Sequence, residues 1–102
     1  SALSKNYPSR DQSVGIGWLK SEFESTRLVA TAALTRNNCR WAIADLLDML
    51  DDPFLINRQF AAKGIEEMQR IRLSDHGYRF YMTPQERRKP IQQLRQEFLD
   101  QK

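Results

Sequence analysis

The sequence predicts an all-α protein of about four helices, arranged as stacked antiparallel helical hairpins with a C-terminal capping helix. Three observations lead to this fold class. Apolar residues recur at spacings of three and four residues in successive segments, which is the period of a helix with one buried face. Residues that favour helix starts precede these segments, and no segment shows a convincing strand pattern. The chain also matches itself when it is shifted so that Arg27 falls on Arg58.

Composition places the chain among globular proteins and excludes several other classes. Its 102 residues are 40% hydrophobic and 28% charged, with a net charge of only +3, which suits one small domain with its own core. The single cysteine, Cys39, cannot form an intramolecular disulfide. No apolar stretch is long enough to span a membrane, so no membrane partner is expected. One cysteine and no signal-peptide pattern favour the cytoplasm, while the compartment stays open.

The predicted organisation is a short lead-in followed by one helical domain. Residues 1–14 contain Pro8 and several serines without apolar periodicity, so we expect them to be poorly ordered. The helical domain covers residues 15–102. Its predicted parts are repeat copies near 18–36 and 38–72 and a C-terminal cap over 78–101.

The first helix is predicted to run from Ser21 to about Arg36. The segment from Ser21 to Glu24 matches a capping box, in which each of these two side chains accepts the backbone N–H of the other residue. Acidic residues in this turn also suit the positive end of the helix dipole. One face of the helix is apolar and consists of Phe23, Ala30, Ala33 and Leu34.

A second helix is predicted over residues 38–50. Its core-facing stripe has the spacing i, i+3, i+4, i+7 and consists of Ile43, Leu46, Leu47 and Leu50. Trp41 and Ala44 widen that stripe. Asp52 is then a suitable N-cap, and Pro53 a suitable first residue, for the next helix.

The third helix, predicted from Pro53 to about Arg72, is more apolar than the others. Its main stripe consists of Ala61, Gly64, Ile65 and Met68. Further apolar residues broaden this stripe, namely Phe54, Ile56 and Phe60, so we expect neighbours to cover the helix on more than one side. Gly64 costs about 1 kcal/mol relative to alanine in a helix interior, which predicts that another helix approaches closely there.

The C-terminal part is predicted to form a strap and a capping helix. The strap, residues 78–82, crosses between two helices. Thr83 and Glu86 form a second capping box and start the last helix, whose apolar face consists of Ile91, Leu94, Phe98 and Leu99. Pro90 either kinks this helix or begins it after a short turn. We expect the helix to pack across the end of the third helix, with Arg87 among the residues that face water.

The residues that match in the two copies are residues at helix starts, predicted core residues and one arginine. Arg27 falls on Arg58, and Ser21 falls opposite Asp52; we call this shift the repeat offset. The apolar matches are Leu19 with Leu50, Phe23 with Phe54, Ala30 with Ala61, and Leu34 with Ile65. A helical pair that repeats in this way buries its apolar face by stacking on its neighbours.

The stretch 38–72 resembles a HEAT repeat of the short bacterial type. The residues that carry the resemblance are the Leu-rich segment 43–50, the turn Asp51-Asp52-Pro53, Arg58 and the small-residue segment 61–65. The segment 76–98 resembles the ending that closes some arrays of this family. The chain is thus similar to the C-terminal fragment of a HEAT-like α-solenoid.

In that family a turn aspartate pairs with an arginine six positions later and builds a ladder of polar contacts. The resemblance therefore implies a structural repeat contact between Asp52 and Arg58, in which Arg58 bonds either the Asp52 carboxylate or the carbonyl oxygens of the turn. Arg27 is the counterpart of Arg58 in the first copy. Ser21 replaces the aspartate there, which leaves open whether the first copy contributes to the ladder.

The resemblance implies a non-catalytic protein–protein interaction or scaffold module. Its partner is an unknown protein or the remainder of its own chain, and an uncovered stacking face also allows a homodimer. The candidate interface residues are Trp18, Tyr78, Phe80, Tyr81, Arg87 and Arg88. The alternative is a basic helical module that binds nucleic acid through the cluster at residues 87–89, although such clusters more often serve solubility.

No residue pattern predicts an enzyme, a cofactor or a metal site. His76 is the only histidine and Cys39 the only cysteine, so a zinc site built from this chain alone lacks its usual ligands. Ser74, Asp75 and His76 are adjacent in a turn and cannot easily orient as nucleophile, orienting group and base.

Overall fold

The computed structural model describes residues 15–99, which form five helices and no strand. The helices are α1 over residues 15–19, α2 Glu24–Arg36, α3 Ile43–Met49, α4 Leu55–Gln69 and α5 Pro84–Leu99. Short 3-10 turns precede α3 and follow α4, at Arg40–Ala42 and Leu73–His76. The predicted lead-in, residues 1–14, and the end of the predicted cap, residues 100–102, lie outside the described residues. The all-helical class is confirmed for the described part of the chain.

Helices α2 and α4 pack side by side and run in the same direction. Near their first residues, Asn57 Nδ2 donates to the carbonyl oxygen of Glu24 at 3.1 Å. Near their last residues, Gly64 faces Thr35, whose side-chain atoms would lie only 2.4 to 2.7 Å from a Cβ at position 64. A methyl group does not fit in this space, so the close helix approach predicted from Gly64 is present.

Helix α3 is antiparallel to α4 and contributes most of its length to the core. Arg40, in the turn before α3, donates from Nη2 to the carbonyl oxygen of Met68 near the end of α4 at 3.1 Å. The predicted second helix is therefore divided into a 3-10 turn and α3. The largest fully buried aliphatic side chains of the core are Leu34, Leu46, Leu47, Leu50, Ile65, Leu73 and Leu94. Three of these belong to the stripe predicted for this helix, which confirms its buried face.

Helix α5 packs mainly on α3 and on the turn Leu73–His76. It runs antiparallel to α3, because Arg87 pairs with Asp51 and Arg95 pairs with Asp48. The prediction that α5 packs across the end of α4 is wrong, since its main partners are α3 and the turn Leu73–His76. The helix is continuous through Pro90, so it does not begin there.

The start of α5 confirms the predicted capping box. Thr83 N–H donates to Glu86 Oε1 at 3.0 Å, and Glu86 N–H donates to Thr83 Oγ1 at 3.2 Å. Each side chain thus satisfies a backbone donor that the first helical turn leaves without a partner. Ile91 and Leu94, further along α5, are buried as predicted.

The turns before α2 and α4 share one geometry, which differs from the predicted caps. Ser21 Oγ accepts the N–H of Phe23 at 3.1 Å, and Asp52 Oδ2 accepts the N–H of Phe54 at 3.1 Å. Phe23 and Phe54, both extended, then occupy the N-cap positions. The capping box at Ser21 and the N-cap role of Asp52 are therefore wrong, because the helices begin three residues later, at Glu24 and Leu55.

Several apolar side chains of α4 and of the turns face solvent. Phe23, Phe54, Ile56 and Phe60 are between 44% and 63% exposed. The predictions that Phe23 lies on a core face and that α4 is covered on more than one side are therefore wrong. The buried stripe of α4 faces α2 and α3, and Ile56 and Phe60 lie on its other side.

Candidate interaction surfaces

An arginine in each repeat copy holds the turn in front of its own helix. Arg27 donates from Nη1 to the carbonyl oxygen of Ser21 at 2.8 Å, and Arg58 donates from Nη1 to that of Asp52 at 2.7 Å. Arg58 Nη1 also reaches the carbonyl oxygen of Pro53 at 3.0 Å. The repeat offset thus corresponds to a repeated contact, and both arginines reach back to the turn that precedes their own helix.

The carboxylate of Asp52 joins the two copies. Arg27 donates to it from Nε at 2.7 Å and from Nη2 at 3.3 Å, and Asn57 donates from Nδ2 at 3.0 Å. All three side chains are largely or fully buried. Of the two partners expected for Arg58, the structure shows the turn carbonyls, those of Asp52 and Pro53. The carboxylate of Asp52, the other expected partner, binds the arginine of the preceding copy.

Asn57 is the member of this contact that the sequence analysis missed. It is fully buried and links α4 to both Glu24 and Asp52. Its partners are distant in sequence or lie in a turn, so no local pattern reveals them. The available signal was its position, four residues before Ala61 and seven before Gly64, which places a polar residue on the buried face of α4.

Side-chain hydrogen bonds fasten the strap, residues 78–82, to the body of the protein. Tyr78 Oη donates to the carbonyl oxygen of Leu50 at 2.6 Å. Arg58 donates from Nε to the carbonyl oxygen of Phe80 at 2.7 Å. Arg58 therefore connects the turn before α4 with the strap, as Arg27 connects its own turn with Asp52.

The aromatic candidates for an interface divide into exposed and buried residues. Trp18 is 39% exposed and Tyr81 is 63% exposed, while Phe80 is half-buried. Tyr78 is buried in the core, so its assignment to an interface is wrong, because the ring packs inside and the hydroxyl is satisfied by Leu50. This burial raises the pKa of Tyr78 well above its ordinary value.

The basic cluster on α5 is smaller than predicted. Arg87 is buried, donating from Nε to Asp51 Oδ1 at 2.8 Å and from Nη1 to the carbonyl oxygen of Met82 at 2.7 Å. Its predicted roles as a water-facing and interface residue are therefore wrong. Arg88 and Lys89 remain on the surface.

One face of the first copy is less covered than its counterpart in the second copy. We define the α1/α2 face by five positions that are partly or largely exposed, namely Ile16, Trp18, Thr26, Ala33 and Asn37. The residues one repeat offset later are all buried, namely Leu47, Met49, Asn57, Gly64 and Met68. For Asn57 and Gly64, the covering residues belong to α2 of the first copy.

Neither a metal centre nor a membrane-spanning helix is found among residues 15–99. No three His, Cys, Asp or Glu side chains gather there in a group that could hold a metal ion. None of the described helices is long and apolar enough to cross a bilayer. His76 Nδ1 lies 3.1 Å from Glu97 Oε1. Burial raises the pKa of the Cys39 thiol, which disfavours the reactive thiolate.

Comparison of the chain with family models, with curated proteins and with solved structures finds no match.

Proposed function

We propose that this chain is a non-catalytic protein-interaction module, part of a HEAT-like helical array whose C-terminal end is closed by the strap and α5. Its partner is an unknown protein or the remainder of its own chain. The observation that carries the proposal is the α1/α2 face, because its positions are buried in the second copy and partly or largely exposed in the first.

The packing between the copies supports a helical occupant for this face. Asn57 and Gly64 contact the first copy. Their counterparts, Thr26 and Ala33, are partly exposed, so a further helical unit would contact them in the same way. Ala33 is small enough to let a helix approach closely. Covering Trp18 would remove apolar surface from water, at about 25 cal/mol per Å².

The polar contacts differ at the two ends of this array. Ser21 lacks the carboxylate that Asp52 offers to Arg27, so a unit that docks on the α1/α2 face relies on apolar packing. At the other end, the residue one repeat offset after Asp52 is Thr83, which has no carboxylate for Arg58. Arg58 instead donates to the carbonyl oxygen of Phe80 in the strap. This arrangement favours the interpretation of the C-terminal part as a cap.

The nucleic-acid alternative has no specific observation in its favour. Arg27, Arg87 and Arg95 each pair with an aspartate, so their charges are largely balanced. Binding to DNA or RNA requires clustered cations that release counterions from phosphates. Retention on a heparin column that collapses with moderate salt would support this alternative.

Sedimentation equilibrium of the isolated chain tests the proposal. With no other unit present, a second copy is the available occupant, so we expect reversible self-association with a dissociation constant below about 1 mM. Trp18→Glu should abolish association because it places a charge on the α1/α2 face. Phe60→Glu is the matched control, since Phe60 is also an exposed aromatic residue but lies outside this face. A strict monomer at that concentration would refute the assignment of this face.

A further inference from the structure

The strongest unassigned feature is a groove between α4 and the strap. Its volume is about 520 Å³, within the range of about 300–1,000 Å³ that specific ligand sites occupy. We call it the strap groove, and the lining residues that matter here are Ala62, Lys63, Leu73, Arg79, Phe80 and Tyr81. Ala62 and Leu73 are buried and apolar, while Lys63, Arg79 and Tyr81 are exposed. The groove therefore combines an apolar floor with a polar rim.

The walls of the strap groove are held in place by hydrogen bonds to the core. Arg58 and Tyr78 fasten the strap, as described above. Glu66 on α4 accepts the N–H of Leu73 through Oε2 at 2.9 Å. Because these contacts fix the backbone on both sides, a ligand would enter a preformed site and would lose little free energy in ordering the protein.

The charge of the strap groove is positive. Lys63 and Arg79 line it, and no carboxylate among residues 15–99 forms an ion pair with either of them. Glu66 is the carboxylate of the lining; it accepts the N–H of Leu73 and keeps its charge, so the two cations and this carboxylate give the lining a net charge of +1. The surface thus offers two cations to a ligand of opposite charge.

Tyr81 gives the groove an aromatic wall. Its ring packs edge-on against Phe80, with 5.3 Å between the ring centroids and 84° between the ring planes. Phe80 is in turn held through its carbonyl oxygen by Arg58. Exposed tyrosines with a fixed orientation are frequent centres of binding energy in protein interfaces.

We infer that the strap groove binds a short, extended, acidic peptide segment of a partner protein. An apolar side chain of this segment packs on Ala62 and Tyr81, and its carboxylates pair with Lys63 and Arg79. The inference deepens the proposed function, because it rests on the chain being an interaction module and assigns one class of partner. The groove shares no residue with the α1/α2 face, so the two surfaces are separable by mutation.

Fluorescence polarisation with a labelled peptide of about eight residues, in which aspartate and glutamate alternate with leucine and phenylalanine, tests this inference. We expect saturable binding that weakens at least about tenfold in Lys63→Glu/Arg79→Glu and in Tyr81→Ala. Arg88→Glu/Lys89→Glu is the matched control, because it also reverses two positive charges, on the exposed surface of α5, and should leave binding unchanged. All these side chains are exposed, so circular dichroism should show folded variants.

Three outcomes would overturn the inference. The first is that the wild type and the groove variants bind the acidic peptide with equal affinity. The second is equal binding of a peptide in which lysine replaces every acidic residue. The third is tighter binding of a single-stranded oligonucleotide than of the acidic peptide, which would favour a nucleic acid in this groove. If the isolated chain does not self-associate through Trp18, the peptide-binding measurements are unaffected. Each proposal can therefore be refuted without the other.

Discussion

Replacing Asp52 by alanine tests whether the contact between the copies holds the fold together. The carboxylate accepts two hydrogen bonds from Arg27, one from Asn57 and one from the N–H of Phe54. The side chain of Asp52 is only 4% exposed, and that of Arg27 is 13% exposed. The substitution therefore leaves a guanidinium and an amide without their partner in a mostly buried place.

We expect Asp52→Ala to lower the free energy of unfolding by about 4 kcal/mol. Removing one partner of a buried ion pair costs about 3–5 kcal/mol, and the lower end applies because Arg27 keeps its bond to the carbonyl oxygen of Ser21. Losing the turn bond to Phe54 adds about 1 kcal/mol. Domains of this size are stable by only about 5–15 kcal/mol, so the variant should lose a large fraction of its stability.

Asp52→Ser is the matched control, because the first copy carries serine at the equivalent position. Ser21 makes the turn bond to Phe23, so a serine at position 52 should keep that bond and lose only the ion pair, about 3 kcal/mol. Urea unfolding followed by tryptophan fluorescence measures each variant. A double-mutant cycle with Arg27→Ala should give a coupling of about 2 kcal/mol. A loss below about 0.5 kcal/mol in Asp52→Ala, within the range of ordinary surface substitutions, would refute the reasoning.

Three further substitutions probe the strap and the helix contact. Arg58→Ala should cost about 1–3 kcal/mol, since its guanidinium ties a turn to the strap, and an unchanged urea midpoint would contradict this. Tyr78→Phe should cost about 1–2 kcal/mol, because the carbonyl of Leu50 loses its buried donor. Burial raises the pKa of Tyr78 above its ordinary value of about 10, so the unfolded state releases this proton first. The free energy of unfolding of the wild type should therefore fall as the pH rises above about 10. That of Tyr78→Phe should fall less over the same pH interval. Equal decreases would contradict the burial of the hydroxyl. Gly64→Ala should lower the melting temperature through overpacking worth about 1–3 kcal/mol. Gly17→Ala should be neutral or stabilising, because no neighbouring atom of residues 15–99 lies within 4 Å of a Cβ at that position. Equal responses of the two variants would rule out the close helix contact.

The core of α3 could be predicted because its pattern is local and unambiguous. Leu46, Leu47 and Leu50 fall on one face of a short helix, and each of them is fully buried. Gly64 was also informative, because a glycine in a helix interior is unfavourable unless a neighbour requires the space. The start of α5 was predictable for the same reason, since Thr83 and Glu86 interact across a single turn.

Other assignments failed because they depended on which neighbour a side chain meets. Phe60 and Tyr78 are both aromatic residues in apolar surroundings of the sequence, yet Phe60 is 44% exposed and Tyr78 only 1%. Arg87 stands in a basic run but is buried, because Asp51, 36 residues earlier, lies beside it. No local sequence pattern predicts that these two residues lie side by side.

Local sequence alone determined the helical class, the apolar stripes and the repeat offset, because these depend on side-chain spacing along one chain. Only the tertiary structure decided that the carboxylate of Asp52 binds Arg27 and leaves Arg58 to the strap. The physical reason is the direction of the helices. Because α2 and α4 run parallel, the turn before α4 lies beside Arg27, near the start of α2. The same packing leaves the α1/α2 face open and forms the strap groove, so both proposed interaction surfaces arise from contacts between residues distant in sequence.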